Sequence, residues 1–361
     1  MKRRDLLRAT AGTLLAMGSA GIARRSFASS GQVVVASFGG RFQDAQRKAI
    51  FTPFEQATGI KVVEATGISL PKIRTMVQTG NVEWDLFVAV SIDLLQLGNA
   101  GMLEPVDYSL MDSKVMAEMP AAAKHRYGTG GIYVSQVVAF NTKAFPAGGP
   151  QPKSWADVWD TKKFPGKRML PAGNYAVNPI EAALLADGVP RDKIYPIDLD
   201  RAYAALSRIR PEVVKWVNSS SAVPQALVDG EAVAGLAASA RIVELRQQGA
   251  PVDMSWQDAI YFVDAWAIPK GAPNYRNALK FMEFASRAEQ QAALVREMRY
   301  GPTNPRALEL LTSAERAEIC SAPEVLANSL MIDSDWWAGR DASGKTQLER
   351  NFDKWNHWVA S

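Results

Sequence analysis

The run Tyr261-Phe262-Val263-Asp264-Ala265-Trp266 is the densest chemical feature of the chain. Read as a strand, it puts Phe262, Asp264 and Trp266 on one face, because side chains alternate along an extended backbone. A carboxylate between aromatic walls suits a cationic amine: the ring faces attract the cation and the carboxylate pairs with it. The plainer reading leaves Phe262 and Trp266 in a core, with Asp264 capping a neighbouring helix. Other aromatics fall where strands or loops end and could complete a box. These are Phe38 before Gly39-Gly40, Tyr175 before Asn178, and Tyr300 before Gly301-Pro302-Thr303-Asn304. Taken singly, each is more often packing than contact.

Catalytic signatures are mostly absent. There is no G-x-S-x-G elbow, no H-E-x-x-H and no G-x-G-x-x-G, and the spacing G-x-x-x-x-G-K-[ST] occurs once, from Gly339 to Thr346. Gly128-Thr129-Gly130-Gly131 lacks the lysine and following helix of a phosphate cradle and reads as a turn. His125, between Lys124 and Arg126, reads as part of a solvated basic loop, and His357 as helix packing beside Trp355 and Trp358. With two histidines and one cysteine, a His-rich metal site, a Cys-rich zinc module and an internal disulfide are all disfavoured. Cys320 reads as a small buried residue. No metal, cofactor or nucleophile–base pair is nominated.

These residues need a scaffold. The chain has 361 residues, 47% hydrophobic and 22% charged, which suits a globular protein of about two domains. Its formal charge of +4 hints at nucleic acid or an anionic membrane. The charge is concentrated at one end, however. Residues 1–28 carry six Lys/Arg and one Asp, a net of +5, so the rest of the chain is near −1. That segment has a basic start (Lys2, Arg3, Arg4, Arg8), an apolar stretch Ala9–Ala23, and a small-x-small Ser26-Phe27-Ala28. It reads as an export signal, and Arg3-Arg4-Asp5-Leu6-Leu7 resembles the twin-arginine type. No later run of about 20 apolar residues follows.

Strand and helix patterns alternate from residue 32 onward. Gln32–Phe38, Ile60–Ala65 and Trp84–Val90 are strand candidates. Phe42–Thr58 is helical, with Pro53 expected to kink or split it and Gly59 to stop it. Ser91 is placed as the cap of the next helix, and Asp85 is turned toward backbone or helix termini. Further on, Ile132–Asn141, Val213–Val217, Glu231–Ala237, Asp253–Trp256 and Tyr261–Ile268 read as strands. Ser154 caps a helix. Asp198–Arg210, Ser239–Gln248, Arg276–Ser286, Glu289–Met298 and Asp341–Val359 read as helices. Such alternation predicts two α/β lobes, with Ile132–Asn141 and Tyr261–Ile268 crossing between them and a ligand cleft at the boundary.

The chain resembles the extracellular solute-binding proteins of bacterial ABC importers, the spermidine/putrescine-binding family in particular. Val33-Val34-Val35-Ala36-Ser37-Phe38-Gly39-Gly40, Phe54-Glu55-Gln56-Ala57-Thr58-Gly59 and Trp84-Asp85-Leu86-Phe87-Val88 carry the likeness. So do Ser154-Trp155-Ala156-Asp157-Val158-Trp159, Lys163-Phe164-Pro165-Gly166-Lys167, Asp264-Ala265-Trp266-Ala267-Ile268-Pro269 and Tyr300-Gly301-Pro302-Thr303-Asn304. The resemblance implies a type II periplasmic-binding-protein fold that closes on a ligand and delivers it to a membrane permease. It implies lobe 1 over 29–136 plus 268–330, lobe 2 over 137–267, and a C-terminal helical segment over 331–361. It also implies a periplasmic monomer without affinity for nucleic acid. Phe38, Ser91, Phe262, Asp264 and Tyr300 fall at positions the family uses for contact.

Two departures narrow the expected ligand. The acids that polyamine binders place before the lobe 2 helix are replaced by the neutral stretch Gly173-Asn174-Tyr175-Ala176-Val177-Asn178. A tryptophan expected after Ala232–Leu236 is missing, and Arg241 stands nearby, able to pair with a carboxylate. A small amine-bearing solute, polyamine or amino-acid-like, is the resulting expectation, and the departures favour a ligand with one amine end, an amino-acid-like zwitterion bridged between Asp264 and Arg241. The alternatives are an exported α/β enzyme acting on a small amine, or an anion or metal binder of the same fold. Ferric binders use adjacent tyrosines, and no Tyr-Tyr pair occurs.

Overall fold

In the computed structural model, which describes residues 31–175 and 178–361, the β-branched run Val33-Val34-Val35 forms the first strand as expected. The export signal expected over residues 1–28 lies outside the described residues. Eleven strands among those described make one sheet: β1 (Gln32–Ala36), β2 (Lys61–Ala65), β3 (Leu86–Val90), β4 (Lys124–His125), β5 (Gly128–Asn141), β6 (Arg168–Pro171), β7 (Val213–Val217), β8 (Ala234–Ala238), β9 (Val252–Ala267), β10 (Gly301–Pro302) and β11 (Leu330–Met331). The main path runs β2-β1-β3-β9-β5-β8-β6-β7. Each end is a parallel trio, β2-β1-β3 and β8-β6-β7. The long strands β5 and β9 run between them, antiparallel to each other and to their outer neighbours.

This arrangement aims one set of strand ends at the middle of the molecule. The helices Gly40–Gln46 and Ser91–Asn99 start just past the C-terminal ends of β1 and β3, and Ser239–Gln247 just past β8. Their N-termini, where backbone N–H groups lack partners, stand at those strand ends. Gly39 and Gly40 make the first of these junctions, with φ of 80 and 54. Two consecutive residues in that region are costly for L side chains. The turn leaves Phe38 half exposed at its edge.

Several local expectations change. Gly128-Thr129-Gly130-Gly131 is not a turn but the start of β5. A Cβ at Gly128 would stand 2.6 Å from the Trp266 carbonyl oxygen, and one at Gly130 would stand 3.0 Å from both Ala123 and Thr303 side chains. Glycine there permits close approach rather than reversal. Asp253–Trp256 and Tyr261–Ile268 are one strand, β9. Its pairing with β5 resumes on both sides of an irregularity between Ser255 and Ile260, where Asp258 takes φ 52. Pro53 does not break its helix. The turn before it widens into a π-helical stretch, Arg47–Phe51, that absorbs the missing N–H, and Gly59 ends the run at φ 70. The last helix begins at Gln347, not Asp341, because Thr346 and Glu349 form a capping box there. His125 lies in the short strand β4, half buried, rather than in a solvated loop.

Other expectations are met. Ser154 and Asp157 form a capping box. The Asp85 carboxylate accepts from the Val34 N–H at 2.7 Å and the Asn274 N–H at 2.7 Å, tying β1 to the start of the helix Tyr275–Ala285. Cys320 is buried, and its thiol faces the Tyr133 carbonyl. No helix among the described residues is long and apolar enough to cross a membrane.

Candidate functional site

Asp264 stands in β9 opposite Val90 of β3 on one side and Ile132 of β5 on the other. It is therefore in the middle of the sheet, beside the strand end from which the helix Ser91–Asn99 departs. Its side chain is 6% exposed, and one carboxylate oxygen, Oδ1, has no hydrogen-bond partner. Burial pushes its pKa up to about 8, and the charge of Asp93 adds to the rise. Asp93 lies in the first turn of the same helix and is pushed up to about 6 by burial, against the opposing field of Arg74. A buried carboxyl without a donor or counter-charge is an expensive arrangement, held in this fold by the two strands that flank it.

Three more of the residues singled out in the sequence gather around it. Tyr300 is pushed up to about 12 by burial, with Arg241 opposing the shift and Asp264 adding to it, so both charges lie near the phenol. Tyr175 is also raised, by burial first; the Ser220 hydroxyl opposes this and Asp264 adds to it. Both phenols thus stay neutral at ordinary pH. Arg241 sits on the first turn of Ser239–Gln247, 3.4 Å from Glu244, while its buried Nε has no acceptor. A planar guanidinium with one N–H unsatisfied is a ready receptor for a carboxylate.

Phe38 reaches the group at one remove. Its ring lies 5.6 Å from Phe42, which meets Tyr300 edge-on at 5.7 Å. Phe262 and Ser91 are placed differently. Phe262 is 4% exposed and belongs to the main hydrophobic core, on the same face as Asp264 and Trp266. Asp264 caps no helix, so only the aromatic half of the plainer reading describes what is seen. Ser91 is not the cap of its helix: Val90 is at the N-cap, and the Ser91 hydroxyl shares a 2.7 Å hydrogen bond with Ser334. It lines a cavity of about 360 Å³ together with His125 and Asp335, apart from Asp264.

Sequence reading missed Asp93, Glu244, Arg41 and Phe42. Asp93 could have been found, as an acid in a helix's first turn just past a strand end, but that placement equally suits the helix dipole. Glu244 is three residues beyond Arg241 on one helical face. Arg41 bonds Glu244 at 2.5 Å from a position 203 residues away. That pair links the helix after β1 to the helix after β8, and nothing local announces it. A wider surface cavity of about 910 Å³, between residues 196–200 and the C-terminal helix, contains none of these residues. No cluster of metal-ligating side chains occurs among the described residues.

Comparisons with known proteins agree with this architecture. Residues 49–325 match the family of bacterial extracellular solute-binding proteins. A gamma-aminobutyric acid-binding protein of Pseudomonas aeruginosa is 32% identical over 335 residues, 91% of this chain and 92% of that one. The spermidine/putrescine-binding periplasmic protein of Escherichia coli is more distant, 26% identical over 83% of this chain and 86% of that one. Among solved structures, an ABC transporter substrate-binding protein of Bradyrhizobium japonicum superimposes with a TM-score of 0.84 at 34% identity, covering 91% of this chain and 99% of that one. The fold is that of the periplasmic binding proteins, and the chain belongs to the bacterial extracellular solute-binding protein family that serves ABC transporters.

Proposed function

We propose that the protein captures a small amine-bearing zwitterion, with the ammonium group on Asp264 and the carboxylate on Arg241. The observation that carries this reading is the pair of unsatisfied buried groups, Asp264 Oδ1 and Arg241 Nε, whose charges both act on the Tyr300 phenol. A ligand with both charges relieves both desolvation penalties at once, which a polyamine does not. Tyr175 and Tyr300 supply neutral hydroxyls and ring faces, and Phe38 with Phe42 forms a wall. Phe262 acts from beneath by packing, and Ser91 by holding the helix start that carries Asp93. The 32% identity to a protein named for gamma-aminobutyric acid supports the amino-acid class over the polyamine class.

In this reading β5 and β9 are the crossing strands. Lobe 1 spans 29–136 plus 268–330, lobe 2 spans 137–267, and residues 331–361 pack across them. Closure brings Phe38 and Tyr300 of lobe 1 against a ligand held by Asp264 and Arg241, and the Arg41–Glu244 bond spans the mouth. The protein works in the periplasm as a monomer, exported through residues 1–28 by the twin-arginine route. It hands its solute unchanged to an inner-membrane permease, with no cofactor, metal or nucleic acid involved. The test is isothermal titration against 4-aminobutyrate, putrescine, spermidine and betaines. Zwitterions carrying a free amine bind, and Asp264→Asn and Arg241→Gln each abolish that binding. Spermidine binding tighter than every zwitterion would sink the assignment. Native mass spectrometry then shows the bound compound unchanged.

A further inference from the structure

Asp93 has no role in that reading, yet it is the charge that most affects Asp264 after burial itself. The two carboxyls sit on different elements: Asp264 on β9, and Asp93 three residues beyond Val90, its cross-strand partner. They are not hydrogen-bonded to each other, and Asp93 makes no hydrogen bond or ion pair among the described residues. The cation acting on it is Arg74, which is exposed and stands beyond ion-pair distance.

The sheet sets an order. Along β3-β9-β5-β8, the helix after β3 carries Asp93, β9 carries Asp264, and the helix after β8 carries Arg241. The charges therefore run Arg241, Asp264, Asp93, one positive followed by two negative. A ligand with one carboxylate and one amine satisfies the first two and leaves the third bare. Resting on the zwitterion assignment, we propose that Asp93 is a second ammonium receptor, and that the preferred solute is an α-amino acid with a further amine at the end of its side chain. The α-carboxylate pairs with Arg241, the α-ammonium with Asp264, and the side-chain ammonium with Asp93. Such a ligand carries two positive charges and one negative, the mirror of the row it meets.

The test uses the mature protein and three probes of equal chain length: 2,5-diaminopentanoate (ornithine), 2-aminopentanoate lacking the terminal amine, and 5-aminopentanoate lacking the α-amine. Ornithine is expected to bind roughly 10- to 100-fold more tightly than either, the range of a charge-assisted hydrogen bond out of water. Asp93→Asn is expected to bind ornithine as weakly as 2-aminopentanoate, while its affinity for 2-aminopentanoate is unchanged. A wild-type protein that binds either single-amine compound as tightly as ornithine overturns the role of Asp93, whatever the variant does. So does a folded variant that keeps the wild-type preference. Either result leaves the Asp264–Arg241 assignment standing, provided the single-amine compounds bind and Arg241→Gln abolishes it. If none of the three binds the folded wild-type protein, both proposals fall together.

Discussion

Replacing Asp264 by asparagine should destroy binding and at the same time make the empty protein more stable. The carboxyl has a pKa of about 8 in the folded chain against 3.8 for an unperturbed aspartate. Below pH 3.8 it is neutral in both states and contributes nothing. As pH rises, the unfolded chain ionises while the folded chain keeps its proton, so folding loses ground steadily until pH about 8 and levels off beyond. At pH 7 the gap is about 3 pKa units, and at about 1.4 kcal/mol per unit the wild-type residue costs about 4 kcal/mol. Asparagine has nearly the same shape and no charge, so it escapes this penalty. For the roughly 330 described residues the unfolding entropy is near 0.7 kcal/mol/K, which converts the difference to a melting-temperature rise of about 6 °C. Thermal melts of both proteins without ligand, at pH 4, 5, 6, 7 and 8, should show curves that coincide in acid and separate as pH rises. A variant that melts below wild type at pH 7, or an offset independent of pH, would refute the claim that Asp264 is an uncompensated buried acid. The ligand amine is then the missing counter-charge, and its addition should stabilise wild type alone.

The same carboxyl sets the pH dependence of binding. Because the amine favours the ionised form, affinity should rise about tenfold per pH unit from pH 6.5 toward 8 and flatten above, with proton release visible when titrations are repeated in buffers of different ionisation enthalpy. Affinity that falls as pH rises over this range would contradict the assignment. Arg41→Ala removes an ion pair with a half-exposed arginine, so its effect should be at most about fivefold on affinity, expressed as faster dissociation in stopped flow. A loss beyond about thirtyfold would mean that Arg41 touches the ligand. Arg168 is fully buried and donates to the carbonyls of Val158, Phe164 and Gly166 at 2.9, 2.6 and 2.5 Å. Arg168→Ala strands those acceptors and should lower unfolding free energy by about 3 kcal/mol or more in urea; a loss under about 1 kcal/mol would show that water replaces it.

Regular local signals carried well from sequence to structure. The β-branched run at β1, the Ser154 capping box and the glycine stop at Gly59 are decided by a few neighbouring residues. Where a residue answers to something distant, sequence reading erred. Gly128 and Gly130 look like turn formers but are set by the Trp266 carbonyl and by Thr303, over a hundred residues away. Ser91 looks like a cap but spends its hydroxyl on Ser334. β8, by contrast, lies where Glu231–Ala237 reads as a strand; its Ala-Gly-Leu-Ala-Ala has little β propensity of its own and is held in the sheet by β5 and β6, which enclose it.

The candidate site divides along the same line. Aromatic-x-Asp at Phe262 and Asp264, Tyr300 before Gly301-Pro302, and Arg241 beyond a strand could all be named from the chain itself, because alternation and strand ends are local properties. What the sequence alone determined was therefore the class of protein and the charged groups of the candidate site. Tertiary structure decided their states. Only the folded sheet shows that Asp264 is enclosed without a donor, that Asp93 stands beside it, and that Glu244 is shared between Arg241 and Arg41. The physical reason is that burial and charge proximity are sums over segments far apart in sequence, and no local pattern encodes such a sum.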